Sequence, residues 1–276
     1  MAKLFSVASW NVEHFGADPA RVKRVVEFLD AQRPDVFGLF EVEGATVFDQ
    51  LVTQMPGYTF QITEGPETQE ILVGVRKTLT AFITQKVEFR SGTTHMRPGQ
   101  LVTIVKDKQN YGLLFLHLSS GNDPRGMGLR DDMLERAFEF RRTLDASEGG
   151  AGKAKYLFLG DLNTMGMDYP FDRSIDPELE LAKWDRYAAR AKIAMRRLPK
   201  THDATWFNGS TSSLPPSNLD HVYASTNLSF RAFKRSDGTD ANVAMRGWVQ
   251  QATPAAKDKW IASYSDHSLM YFEVFS

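Results

Sequence analysis

The stretch LFLGDLNT, Leu157 to Thr164, decides how the rest of the chain is read. Three apolar residues lead into Gly160, and an acid, Asp161, and an amide, Asn163, follow one residue apart. A short apolar run closed by glycine has the form of a strand buried on both faces. Alternate residues of an extended chain share a face, so Asp161 and Asn163 are expected to point to one side, away from Leu162. Side by side, they can hold a water and a phosphate oxygen together. The carboxylate orients the water's proton, and the amide donates to developing negative charge.

Similar runs recur along the chain: Leu4–Trp10, Val36–Phe40, Ile71–Val75, Leu101–Val105, Gly112–Leu118, Tyr156–Leu159, Leu219–Ala224 and Leu269–Phe275. Polar groups stand at their ends. Asn11 follows the first, Glu41 the second, and His117 closes the run LFLHLSS. Asp220 heads the next-to-last, and Asp266 and His267 precede the last. Any one of these has a dull explanation, since Asp and Asn often cap turns. Taken together they place two carboxylates, an amide and a His-Asp pair at one rim of a sheet, where loops carry function. The donor set suits a hard cation, which takes oxygen ligands, with Glu41 the clearest carboxylate ligand and Asn11 its neutral partner. Zinc would call for more His or Cys.

Helical spacing lies between the strands. Val22, Val25, Val26 and Leu29 form one stripe, opened by Asp18 as N-cap and Pro19 at the first helical position. Val47, Phe48, Leu51, Val52 and Met55 form a second, and Leu129, Met133, Ala137, Phe140 and Leu144 a third. A fourth helix is expected from Pro177 to about Leu198. Interspersed strands and helices give an α/β architecture. The pattern leaves open whether the strands form one sheet or two packed sheets.

The chain has 276 residues, 42% hydrophobic and 24% charged, as for a soluble globular protein. The loops at Gly65–Pro66, Gly209–Pro216 and Asp237–Asp240 are too short to be linkers, so residues 1–276 are read as one domain. A net charge of −1 offers no global basic field for nucleic acid. The absence of cysteine excludes disulfides, thiolate nucleophiles and Cys-based zinc sites. The N-terminal MAKLFSVASWNVEHFG has no apolar core of a leader, and no run approaches the ~20 apolar residues of a membrane span. A cytoplasmic protein without membrane anchor is the expectation. GGAGKA, 149–154, lacks the spacing and the Ser or Thr of a phosphate-binding loop. A GD with no GNH downstream argues against the calcineurin-like metallophosphoesterases, and no GxSxG marks a serine hydrolase.

SWNVE (9–13), FEVE (40–43), LHLSS (116–120), GDLNT (160–164), LDHV (219–222) and SDHSLM (265–270) together resemble the endonuclease/exonuclease/phosphatase superfamily, the deoxyribonuclease I-like metal-dependent phosphoesterases. They occur in the family's order, from near the first residue to near the last. The resemblance implies a four-layer α-β-β-α sandwich of two packed mixed β-sheets, with the active site at one edge between them. It also implies that Asn11 and Glu41 hold Mg²⁺ or Mn²⁺, and that His117 contacts the phosphate. Asp161 and Asn163 would position the nucleophilic water and the phosphate. Asp220 would orient the phosphate or its leaving group, and Asp266 would pair with His267. Two further residues follow less directly. Arg97, in MRPGQLVTI, is placed to bind phosphate, and Glu70, just before a strand, stands where nucleases of the family carry a partner for the His in the position of His117. His14, His95 and His202 have no partner that the sequence names, and His221 should face away from the site.

The resemblance leaves the ester open, because specificity lives in loops. Arg125, Arg130, Arg136, Arg141 and Arg142 lie among acids and read mostly as a solvated helix face. Arg196, Arg197 and Lys200 come just before Trp206 and Phe207, a combination of charge and rings that suits nucleic acid. The expected substrate is a phosphodiester, with DNA or RNA first. The alternative is a small-molecule or lipid phosphate ester, taken by a phosphatase or phospholipase-like enzyme.

Overall fold

The computed structural model describes residues 2–16, 18–43, 45–65, 69–90 and 96–276. Pro66 and His95 lie outside the described residues. Strict two-residue alternation builds the centre of the molecule. In β1 (Lys3–Phe15), Phe5 and Val7 face one core while Ala8, Trp10 and Val12 face another. Its neighbour β2 (Val36–Glu43) runs parallel to it, and antiparallel pairing adds β3 (Tyr58–Ile62) and β4 (Gln69–Arg76). The second sheet begins with β5 (Thr80–Lys86), β6 (Gly99–Lys106), β7 (Gln109–His117) and β8 (Lys155–Asp161). It is completed by β9 (Met195–Arg197) and β10 (Asp220–Ser225), in the order β5-β6-β7-β8-β10-β9. The chain then returns to the first sheet through β11 (Ser229–Phe230), a small ribbon of β12 (Phe233–Lys234) and β13 (Asp240–Ala241), β14 (Ala244–Arg246) and β15 (Leu269–Phe275). The order there is β11-β15-β1-β2-β4-β3, with β14 also on β15.

The inward rows of the two sheets, among them Phe5, Val7, Phe40, Leu113, Phe115, Leu157, Leu159 and Phe272, form the central core. Helices α1 (Pro19–Ala31), α2 (Ala45–Gln54) and α5 (Pro254–Ser263) cover the outer face of the first sheet. Helices α3 (Pro124–Ser147) and α4 (Pro177–Ala188) cover the second. The result is the expected four-layer α-β-β-α sandwich. Among the described residues no helix is long and apolar enough to cross a membrane.

Three local readings need correction. First, α4 stops at Ala188 rather than near Leu198. The N–H groups of Ile193 and Ala194 both return to the Arg190 carbonyl, Ala194 takes the left-handed conformation (φ 47°), and the chain leaves as β9 to pair with β10. Cross-strand pairing there overrides good helix formers. Second, Arg130 and Arg141 of α3 are wholly buried, not solvated. Arg130 pairs with Glu180, and Arg141 donates to the Ala194 carbonyl. Third, β3, β5 and α5 were not anticipated. The last has its signal in the sequence: Thr253 caps it by accepting from the Ala256 N–H, and Pro254 follows.

Candidate active site

Strand parity delivers the site. Asn11 continues the inward row Phe5–Val7 of β1, His117 the row Leu113–Phe115 of β7, Asp161 the row Leu157–Leu159 of β8, and Asp220 starts the row Val222–Ala224 of β10. Strands β1 and β2 are parallel, as are β7 and β8, so they end at one rim. Antiparallel β10 and β15 begin there. His117 and Asp220 flank Asp161 as its paired residues on the two neighbouring strands. Glu41 is the exception to alternation. Phe40 faces inward, so a regular strand would send residue 41 to the helix side. A register break lies between Leu39 and Val42, with Glu41 at φ 60°, and it returns the carboxylate to the rim.

Gly160 is required by packing as well as by its φ of 139°. A Cβ there would lie 2.0 Å from the Leu116 carbonyl oxygen and 2.7 Å from the Phe40 ring. The chain does not stay extended beyond it, which corrects the simple alternation expected of Asp161 and Asn163. Asn163 is left-handed (φ 49°), its N–H bonds Asp161 Oδ1 at 3.1 Å, and its Nδ2 donates to the Leu118 carbonyl at 3.1 Å. A local turn, rather than the pleat, brings both side chains to the cleft wall.

Asp161 Oδ2 is the hub. Asn11 Nδ2 donates to it at 2.9 Å, and to Glu41 Oε1 at 3.0 Å. His117 Nε2 stands 3.7 Å and His267 Nε2 3.8 Å from the same oxygen. The His14 backbone N–H holds Glu41 Oε2 at 3.0 Å. The imidazole of His267 is oriented by Asp220, whose Oδ2 lies 2.8 Å from Nδ1. This corrects the expected pairing with Asp266, whose Oδ1 is 3.9 Å from Nε2. The resemblance implied that pair, but the carboxylate that reaches Nδ1 comes across the sheets. Trp206 Nε1 instead donates to Asp266 Oδ2 at 2.6 Å.

The electrostatics are unbalanced. Burial, reinforced by the Asp220 charge, pushes the Asp161 carboxyl up to about 7. Burial also raises Asp266, to about 6, against the opposing pull of His267. At His267 burial disfavours the imidazolium, but Asp220 and Asp161 outweigh it and lift the group to about 10. His117 is driven well below its usual value by burial, with Arg97 adding to the effect. The site therefore holds one charged and one neutral imidazole among crowded carboxylates. Glu41, His117 and Asp161 bring ligand atoms within 4.8 Å of one another, and so do Asp161, Asp220 and His267. Carboxylates held short of counter-charge fit a hard divalent cation. Asn11 meets this cluster through its nitrogen, because its Oδ1 accepts from the Glu13 N–H at 2.9 Å. It steadies the two carboxylates, and would have to turn its amide to offer an oxygen.

Other expected residues separate. Arg97 lines the cleft and donates to Gln69, through Nε to the carbonyl and through Nη2 to Oε1 at 2.7 Å. Glu70 bonds Thr63 rather than His117. His14 does have partners, Glu43 at 2.9 Å and Gln69 at 2.7 Å, and lies on the cleft rim. His202 bonds the Ala204 carbonyl. His221 faces the far side, against Thr164 and the Asn218 carbonyl. The basic run before Trp206 is consumed internally. Arg196 bonds the carbonyls of Thr226 and Leu228, Arg197 grips Asp185 with two hydrogen bonds, and Lys200 is buried. Phe207 packs on Trp248, and only Trp206 reaches the cleft. The cleft, about 590 Å³, is charged on its floor and has Met165, Trp206, Leu214 and Pro215 on its walls.

Two contributors escaped the sequence reading. Arg21 reaches from α1 to the carbonyls of the β1 end and of Tyr264, and the Thr205 hydroxyl accepts from the N–H groups of Leu219 and Asp220. Both act through backbone groups, which leave no side-chain pattern to find.

Residues 8–267 match the Endonuclease/Exonuclease/phosphatase family. No curated protein matches the chain. Among solved structures, truncated Caenorhabditis elegans TDP2 superposes with a TM-score of 0.67 at 18% identity, over 99% of this chain and 98% of that one. D. rerio TDP2 complexed with single strand DNA product gives 0.65 at 17%, over 99% of each chain. The Bacteroides thetaiotaomicron mannosyl-6-phosphatase gives 0.59 at 14%, over 99% and 100%. At identities this low, the superpositions show a shared fold alone.

Proposed function

The chain belongs to the Endonuclease/Exonuclease/phosphatase family, and on that premise we propose that it is a divalent-metal-dependent phosphodiesterase acting on nucleic acid. The observation that carries this reading is the convergence on Asp161 Oδ2 of Asn11, His117 and His267 from both sheets. Glu41 and Asp161 would hold Mg²⁺ or Mn²⁺, which when bound withdraws charge from a phosphoryl oxygen and from the departing oxygen. Asp161, whose Oδ2 is the meeting point of Asn11, His117 and His267, orients the attacking water and accepts its proton. The His267 imidazolium, fixed by Asp220, faces the phosphoryl oxygens with positive charge at Nε2. Neutral His117 adds a hydrogen-bonding imidazole at the same spot, and Asn163 and Arg97 flank it on the cleft wall. The water oxygen bonds to phosphorus as the opposite ester bond breaks.

A substrate with organic groups on both sides of the phosphate suits an open cleft that has apolar walls beside a charged floor. The Trp206 ring, with its N–H tied to Asp266, supplies a surface on which a base can stack. The DNA-bound D. rerio TDP2 supports this reading. The mannosyl-6-phosphatase, built on the same fold, supports the second one, a phosphatase of small esters. Supercoiled plasmid, single-stranded DNA, RNA, bis-p-nitrophenyl phosphate and p-nitrophenyl phosphate, each with Mg²⁺, Mn²⁺ or EDTA, separate the two. Polynucleotide cleavage that needs metal and vanishes in Asp161→Ala is expected. Hydrolysis of p-nitrophenyl phosphate alone would replace the nuclease by the phosphatase.

A further inference from the structure

Residues Glu13 and His14, just beyond Asn11, are consecutive non-glycine residues in the left-handed region, with φ 43° and 44°. Such a pair persists only where its surroundings over-determine it. The bend has a clear use. It turns the His14 N–H onto Glu41 Oε2, brings the Glu13 N–H to Asn11 Oδ1, and leaves Glu13 Oε2 accepting from the Asp266 N–H at 3.3 Å.

One side chain spans the bend. Arg21, in the first turns of α1, sends Nη2 to the carbonyls of Val12 (2.5 Å), Glu13 (2.7 Å) and Tyr264 (2.7 Å). Its Nη1 reaches the His14 carbonyl at 3.2 Å, and its Nε the Tyr264 carbonyl at 3.1 Å. Tyr264 ends α5 and leads directly into Ser265, Asp266 and His267. Ser265 Oγ donates to the Asn11 carbonyl and accepts from the His267 N–H, so the two segments already touch. We infer that Arg21 is a positioning residue, a guanidinium clamp that holds the Asn11–His14 bend against the 264–267 turn and so sets the relation of Glu41 and Asn11 to Asp266 and His267. A planar fork of five N–H donors can satisfy four carbonyls spread over two segments, whereas the compact ammonium of a lysine cannot. The inference rests on the proposed active site for its catalytic consequence, but the clamp itself can be observed without any substrate.

Arg21→Lys and Arg21→Gly should be compared with the wild type by hydrogen–deuterium exchange and by kinetics on bis-p-nitrophenyl phosphate. Exchange should rise about tenfold or more in 11–15 and in 264–267 together, with the β7–β8 core still protected. The Arg21→Lys kcat should fall by about tenfold to a hundredfold with KM within about twofold, as for an ångström-scale displacement of reacting groups. Low millimolar guanidinium should restore part of the activity and protection to Arg21→Gly. Unchanged exchange in both segments, or an equal rise across the whole chain, would overturn the clamp. So would an Arg21→Lys enzyme with wild-type kcat. If the wild type hydrolyses none of the esters, the functional reading fails while the exchange pattern still decides the clamp.

Discussion

Two buried charge clusters lie close together in this chain, and they are built on opposite principles. Under the 165–168 loop, Arg130 and Glu180 are both fully buried. The guanidinium bonds both carboxylate oxygens, at 3.0 and 3.2 Å, and the carbonyls of Gly121 and Gly166. The Gly166 N–H closes the set on Glu180 Oε2 at 2.7 Å. Charge is neutral, and the carboxylate meets a donor at each oxygen. A few residues away, Glu41, Asp161, Asp220 and Asp266 crowd His117 and His267, and buried His117 Nδ1 and Asp266 Oδ1 have no hydrogen-bond partner among the described residues. A completed buried pair specifies structure, whereas unpartnered polar atoms call for an explanation, and in the cleft an incoming cation or substrate supplies one.

The difference is broken most directly at the hub. Asp161→Asn keeps the shape of the side chain and removes one surplus negative charge. Turnover should fall by about a thousandfold or more, while the urea midpoint holds or rises because a crowded carboxylate has gone. A large loss of stability in this variant would mean that the cluster is structural after all. Arg130→Met should do the reverse. Leaving Glu180 buried without its partner costs about 3–5 kcal/mol, read by urea unfolding. The double variant Arg130→Met/Glu180→Leu should recover much of that loss, and strictly additive losses would refute the pairing.

The same contrast governs what was legible in the sequence. Asn11, His117, Asp161 and Asp220 could be found because they end apolar rows in strict alternation, and alternation is written in the sequence. Glu41 could be placed at a strand end, although its approach to the rim depends on a backbone break that no residue type announces. The pairing of His267 with Asp220 has no signal in the sequence because it joins two sheets, and the resemblance pointed to Asp266 instead. The basic run from Arg196 to Lys200 looked like a binding surface because charge alone does not say whether a partner waits inside the fold, as Asp185 does. Arg21 and Thr205 act on carbonyls and N–H groups distant in sequence, which no motif encodes.

If the incomplete cluster is completed by a cation, the cation should stabilise the fold through that cluster. Mg²⁺ at about a hundredfold over its dissociation constant should add about 2.7 kcal/mol, seen as a higher Tm by calorimetry. Most of the gain should vanish in Glu41→Ala. An equal rise in that variant would place the stabilising ion elsewhere.

A further prediction concerns a cation that the fold already contains. Lys200 is buried behind Asp220, donating to the Asp220 carbonyl at 2.6 Å and to Asn218 Oδ1. Burial, only partly offset by Asp220, lowers its ammonium from 10.5 to about 7. An unfolded chain keeps that proton up to about 10.5, so between about 7 and 10.5 the unfolded state binds more protons than the folded one. Stability contributed by this position therefore rises with pH across that window. In EDTA, urea midpoints measured from pH 7 to 10 should climb more steeply for the wild type than for Lys200→Met, which has no proton to lose. Parallel slopes would show that Lys200 stays charged inside the fold, bringing its chemistry closer to that of Arg130 than to that of the active-site carboxylates.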